Sequence, residues 1–266
     1  LPIALAVLNE ADPAGKVAAA RAAQDLVPPS ETGLELPGEF KLPERPARPK
    51  RPVLTAHTEV PRRRIGSAHG RIAMLHALAH IELNAIDLAF DMAARFAAEC
   101  EDRLGLADEF AADWIGVGVD EAEHFELLQN RLVELGSFYG ALNAHDGLWE
   151  AAVDTKDNWA ARLAIVPMVL EARGLDVTPA TVKGLRTHGD EISAEIMEKI
   201  YQDEIRHVAI GVKWFKRLCA ADGLKDAEAF QILVAQYFKG RLKPPFNDKA
   251  RVQAGLLPIF YRSRSQ

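Results

Sequence analysis

Cysteine is nearly missing from this chain. Cys100 and Cys219 are its two thiols in 266 residues, far apart and without a Cys-x-x-Cys motif. Such usage predicts buried free thiols in a reducing compartment, hence a cytoplasmic protein. An excess of positive charge is missing too, and the net charge of -6 argues against a generic nucleic-acid binder. No apolar stretch approaches the length that a bilayer requires, so no membrane partner is expected. The opening LPIALAVL is too short for a secretory leader and has no charged region ahead of it. Leu1 stands where Met is expected, so a native leader or a few early residues are expected to be missing before it. Runs that alternate apolar and polar residues are absent, which removes the β-sheet classes. What remains is ordinary globular usage, 48% apolar and 26% charged, in a chain long enough for a sizeable core.

Proline is present but concentrated. Eight of the 15 prolines fall between Pro28 and Pro61. That stretch predicts an extended arm, because proline suits neither a helix interior nor a central strand. Ahead of it, residues 13–26 read as an alanine-rich helix capped by Asp12, with Pro13 at its first position. From Ser67 a long helix begins. A second is expected from an Asp108 cap to a stop at Gly136, and residues 137–156 form a mixed connection. A third runs from about Asp157 to Gly174 with a kink at Pro167, and Pro179 opens a short one. A fourth long helix spans about Gly189 to Ala221, and Asp226 caps a further one before an irregular tail. The fold class is therefore all-α: a four-helix bundle at 67–222, a helix and proline-rich arm at 1–66, and a C-terminal helix and tail at 223–266.

Polar residues interrupt the apolar stripes of all four long helices. Glu82 falls among Leu75, Leu78, Ala79, Ile86 and Ala89. Glu121 and His124 break the stripe of Trp114, Val117, Phe125 and Leu128. Glu171 shares a side with Ile165, Met168 and Leu175; Glu204 and His207 lie among Ile196, Met197, Ile200, Val208 and Phe215. A carboxylate in an apolar interior costs several kcal/mol unless it is neutralised, and four of them repel one another. Two metal ions supply the missing positive charge. Residues three apart share a helix face, so each Glu-x-x-His offers an oxygen and a nitrogen together. The order is single Glu, pair, single Glu, pair, an internal two-fold repeat of a helical hairpin. The composition predicts fewer than one Glu-x-x-His by chance, and the chain holds two.

DEAEH at 120–124 and DEIRH at 203–207 resemble the paired motifs of the ferritin-like di-iron carboxylate proteins. That superfamily includes ferritins, rubrerythrins, ribonucleotide reductase small subunits, acyl-carrier desaturases and, more distantly similar, a tRNA-modifying di-iron hydroxylase. HIELNAIDLAFD, DEAEHF, EARGLD, DEIRHV and the tail motif PPFN-x-x-AR are similar, more narrowly, to an uncharacterised bacterial family with a ferritin-like domain. The resemblance implies a ferritin-like bundle with added terminal helices. It implies two iron ions, or manganese, or one of each, held by Glu82, Glu121, His124, Glu171, Glu204 and His207. It further implies that Asp120 and Asp203 accept hydrogen bonds from the ligand imidazoles. Tyr201, one turn before Glu204, is expected as a core tyrosine or as a redox or hydrogen-bonding residue near the ions.

Other polar residues have blander expectations. His76 and His80 are expected on a polar face or supporting the ligands, and Asp87 and Asp91 solvated or ion-paired. Arg206 is expected to pair with a carboxylate. Lys41, Arg45, Arg48, Lys50, Arg51, Arg62, Arg63 and Arg64 make the arm basic, able to track phosphates or to lie over the protein's own acidic surface. The tail residues Pro244, Pro245, Phe246, Asn247 and Arg251 are expected to cover one end of the bundle or to shape a substrate channel.

A carboxylate-rich set suits iron or manganese with open positions for dioxygen. The expected function is a dinuclear-metal oxidoreductase, a monooxygenase or oxidase using dioxygen or peroxide, an external electron donor and an unknown small substrate. The alternatives are iron handling (ferroxidase, storage or stress defence) and a metal-free interaction scaffold. The missing Cys-x-x-Cys motif removes a rubredoxin module, and the long arm and tail suit a ferritin cage poorly. A homodimer is an expected assembly.

Overall fold

The computed structural model describes residues 2–25, 42–56 and 65–262. Among these residues the fold is all-helical, with one isolated parallel bridge between Leu54 and Ala144. The chain divides into two compact units, Leu1–Trp149 with Gly184–Ile196, and Glu150–Lys183 with Met197–Gln266.

The first unit is built on a helical hairpin. Helix α3 (Ala68–Leu104) begins at Ser67, whose hydroxyl accepts from the Gly70 amide at 3.0 Å. It ends at Gly105, whose φ of 65° lets its amide turn back to the Glu101 carbonyl. Helix α4 (Ala107–Glu134) begins two residues later. Its start differs from expectation: Leu106 occupies the cap position without a side-chain hydrogen bond, and Asp108 lies inside the first turn. There a carboxylate still favours the positive end of the helix dipole. The two helices approach closely at Gly118, where an added Cβ would come within 2.6 Å of the Phe90 ring.

Two shorter helices, α1 (Pro2–Asn9) and α2 (Pro13–Asp25), pack on this hairpin. Asp12 caps α2 as expected, accepting from the Gly15 amide at 2.9 Å. Pro2 to Leu8 of the opening stretch lie in α1, which buries Ala4, Val7 and Leu8. Contrary to the expectation from apolar length, helix α3 is long and apolar enough to cross a membrane by composition. Within the protein 83% of that stretch is buried, as in a core helix. The described part of the arm lies against this unit. The Ala47 amide donates to the Leu8 carbonyl at 2.7 Å, and the Trp149 indole donates to the Glu44 carbonyl at 3.3 Å. Arg45 pairs with Asp146, and Arg48 lies 3.9 Å from Asp87 and 3.8 Å from Asp146. These two cations face the protein's own carboxylates. Lys41, Arg62, Arg63 and Arg64 lie outside the described residues.

In the expected connection at 137–156, Gly147–Asp154 forms helix α5. The second unit starts at Glu150, within α5, and continues with α6 (Trp159–Ile165), capped by Asn158, whose side chain accepts from the Ala161 amide at 2.9 Å. Where a kink was expected at Pro167, the chain widens into a π-helical segment, Val166–Glu171. Proline cannot donate to the ladder, and a wider turn is one way to absorb it. Gly211 faces it, where a Cβ would lie 2.5 Å from the Pro167 Cβ. The next helix, α7 (Ala172–Thr187), runs through both Gly174 and Pro179. Neither the stop at Gly174 nor the new start at Pro179 occurs. Helix α8 (Glu191–Ala221) comes next, with the Ser193 amide donating to Asp190 at 3.2 Å. Lys225, not Asp226, holds the cap position of α9 (Asp226–Tyr237). The tail adds two short helices, α10 (Asp248–Gln253) and α11 (Pro258–Tyr261). Phe230 meets both Phe215 and Phe260 edge-on, with ring centroids 6.1 and 5.6 Å apart. Cys100 and Cys219 are buried and form no disulfide.

Candidate metal centre

In the first unit, α3 delivers Glu82 and α4 delivers Glu121 and His124. All three are buried, at 3%, 0% and 0% exposure. Their ligand atoms lie within 4.8 Å of one another. Nδ1 of His124 is 3.1 Å from Glu121 Oε2 and 3.6 Å from Glu82 Oε2. A proton on one of the two carboxyls, a doubly protonated imidazole, or a cation among the three groups is needed to offset two carboxylates so placed. Glu82 Oε2 is buried without a hydrogen-bond partner. Burial, and then the neighbouring Glu121 charge, push the Glu82 carboxyl well above the usual range. The donor set is two oxygens and one nitrogen in a dry place, and it fits a cation that prefers oxygen.

In the second unit, Glu204 and His207 stand one turn apart on α8, with His207 Nδ1 3.8 Å from Glu204 Oε2. His207 is fully buried and Glu204 half-buried. Glu171 is the last residue of the π segment and is half-buried. The wider π turn rotates the rest of the helix relative to its start, so this segment sets the direction of Glu171. Each unit therefore carries one half of the repeat seen in the sequence, a single Glu and a Glu-x-x-His.

Around these candidate ligands, Asp120 and Asp203 are half-buried, and Asp203 accepts from Lys199 at 2.8 Å. The Tyr201 hydroxyl accepts from the Asn247 side-chain amide at 2.9 Å. His76 and His80 do not occupy a polar face: they are 1% and 5% exposed. His80 meets the Tyr139 hydroxyl at 2.8 Å and the His145 carbonyl at 3.1 Å, and His76 accepts from the Gly140 amide at 2.9 Å. Desolvation pushes both imidazoles down to about 4, so they are neutral at pH 7. They hold the 139–145 connection onto α3. Asp87 and Asp91 are buried and ion-paired, with Lys16 and Arg95.

Sequence reasoning did not single out Lys16, nor Asp176 as the partner of Arg251. Arg251 donates to both Asp176 oxygens, at 2.8 and 2.7 Å. One signal was present for the tail. Pro179 inside a helix leaves the Leu175 carbonyl without its usual donor, and some other group must supply one.

An uncharacterized protein of Haemophilus influenzae is 41% identical to this chain over 207 residues, covering 78% of this chain and 72% of that protein. No solved structure matches the chain. The family model described as "Protein of unknown function (DUF455)" matches residues 9–262. The chain, with both Glu-x-x-His pairs inside the matched span, belongs to the DUF455 family.

Proposed function

We propose that this chain is a ferritin-like, dinuclear-metal oxidoreductase that uses dioxygen to oxidise a small organic substrate, with electrons from an external donor. The ligands in this reading are Glu82, Glu121, His124, Glu171, Glu204 and His207, and the metal is iron or manganese. The observation that carries the reading is the buried group of Glu82, Glu121 and His124, with Glu82 Oε2 lacking a hydrogen-bond partner. A buried carboxylate beside a second one is costly in an apolar core and is relieved by a cation.

Held by these residues, two iron ions would supply electrons for the reduction of dioxygen. The chain's own groups do the rest. Glu82 and Glu121 provide negative charge that selects cations. His124 provides a nitrogen that exchanges a proton for a cation, so metal uptake releases protons and weakens in acid. The apolar residues flanking each ligand, among them Leu75, Ile86, Trp114 and Leu128, exclude water from the first unit's group.

The test is metal analysis after anaerobic loading with ferrous iron. The wild-type chain should bind near two ions, and Glu204→Ala and His124→Ala should each abolish stoichiometric loading. Full loading of both variants overturns the ligand assignment. Dioxygen uptake then separates the chemistries. Consumption that turns over with an organic substrate supports an oxidase or monooxygenase, whereas ferric mineral accumulating without organic product supports iron handling.

A further inference from the structure

We propose that Asn247 is a positioning residue for the candidate centre: its side-chain amide staples the helix that begins after Glu171 to the helix of Glu204 and His207. The inference rests on the metal reading, and every contact it uses lies within the second unit.

Pro179 lies inside α7 and has no N–H. In an α-helix that N–H would bond to the carbonyl four residues earlier, which is Leu175. Asn247 supplies the donor instead, its Nδ2 lying 3.0 Å from the Leu175 oxygen. The same nitrogen lies 2.9 Å from the Tyr201 hydroxyl. Leu175 is one turn past Glu171, and Tyr201 is one turn before Glu204. One amide therefore joins the two ligand-bearing helices, a turn away from each carboxylate. Its orientation is determined, because its oxygen accepts from the Ala250 amide at 3.3 Å and only the nitrogen can face Leu175.

The surrounding contacts leave Asn247 little freedom. Its backbone amide donates to Asp176 Oδ1 at 2.9 Å. Arg251 binds both oxygens of that carboxylate, with side chains 3% and 0% exposed, and also donates to the Ala172 carbonyl at 3.3 Å. The guanidinium lies over the Tyr261 ring, 4.5 Å from its centroid. Ala172 is the residue directly after Glu171, so the clamp reaches the end of the π segment itself. A ligand set must be held to within about half an ångström to bind two ions well, and partners behind the ligands commonly change affinity by about 10–100-fold.

The experiment is cobalt(II) titration of the full chain, monitored by dialysis and by visible ligand-field absorption. Wild type, Asn247→Ala, Tyr201→Phe and the double variant are compared, with melting temperatures taken without metal. Each single variant should weaken one of the two ions by about 10-fold or more and shift the absorption bands. The double variant should lose no more than Asn247→Ala, because both changes cut the same bridge. If the variants melt earlier yet bind two ions with wild-type affinity and spectrum, the role is only structural and the proposal fails. Should Asn247→Ala not fold, Tyr201→Phe decides, since it removes one hydroxyl alone. If the wild-type chain takes up no cobalt, the metal reading fails and this proposal fails with it; if wild type takes up two ions and Tyr201→Phe is indistinguishable, only the staple fails.

Discussion

Lys16 and Glu82 are both almost wholly buried in the first unit, at 1% and 3% exposure, and their surroundings differ. Lys16 finds a carboxylate in Asp87 and a carbonyl in Val7 at 3.0 Å. Glu82 finds Glu121, a like charge, beside His124. The first arrangement serves the fold. Lys16→Met should lower stability by about 3–5 kcal/mol, because it strands a buried anion. Burial already pushes the Asp87 carboxyl up to about 6 despite Lys16 and Arg48. A carboxyl raised on folding takes up a proton between its unfolded and folded values, so its share of stability is present in acid and is lost as pH rises through 6. The cost of Lys16→Met should therefore be smaller at pH 5 than at pH 8, as measured by urea unfolding. The second arrangement does not serve the fold. Metal-free Glu82→Gln should be more stable than wild type at pH 8, by on the order of 1 kcal/mol, and the gain should shrink towards pH 5. The same variant should bind metal more weakly; a simple loss of stability at every pH would count against the strained carboxylate.

At the scale of the element, close approach and missing donors decide what the helices do. Gly118 lets α3 and α4 touch, and the Phe90 ring that a Cβ would meet is fully buried. Gly118→Ala should cost about 1–3 kcal/mol by overpacking. Gly105→Ala should cost about 1–2 kcal/mol for a different reason: its φ of 65° is unfavourable to any residue with a Cβ, although space around it is open. Denaturant midpoints would check both, and unimpaired stability in either variant would contradict the account. The start of α3 was legible in sequence, since Ser67 carries a local signal, whereas its stop at Gly105 was not singled out. The course of α7 was not legible. A glycine costs a helix only about 1 kcal/mol, and the proline penalty at Pro179 is offset by a donor 72 residues from Leu175, in the tail.

For the whole molecule, the candidate donors divide evenly, one Glu and one Glu-x-x-His in each unit. Metal that binds only the folded chain must raise its stability by mass action. At a free concentration 100 times Kd the gain is about 2.7 kcal/mol per site. For a chain of this size that corresponds to a rise in Tm of roughly 5–10 °C per site. A thermal scan with manganese or with iron under anaerobic conditions would show the rise, and a chelator should reverse it. An unchanged Tm at saturating metal would argue against binding to the native state.

Helix content and the spacing of the six donor residues could be read from the sequence, because both arise from the local period of one helix. The resting place of the arm's arginines, the partner of a buried lysine 71 residues away, and the donor for the Leu175 carbonyl could not. Those pairings join distant parts of the chain, and a linear pattern carries no distance between such parts. Tertiary packing alone brings Glu82 against Glu121 and His124, where desolvation turns a regular spacing into a site with a need for positive charge.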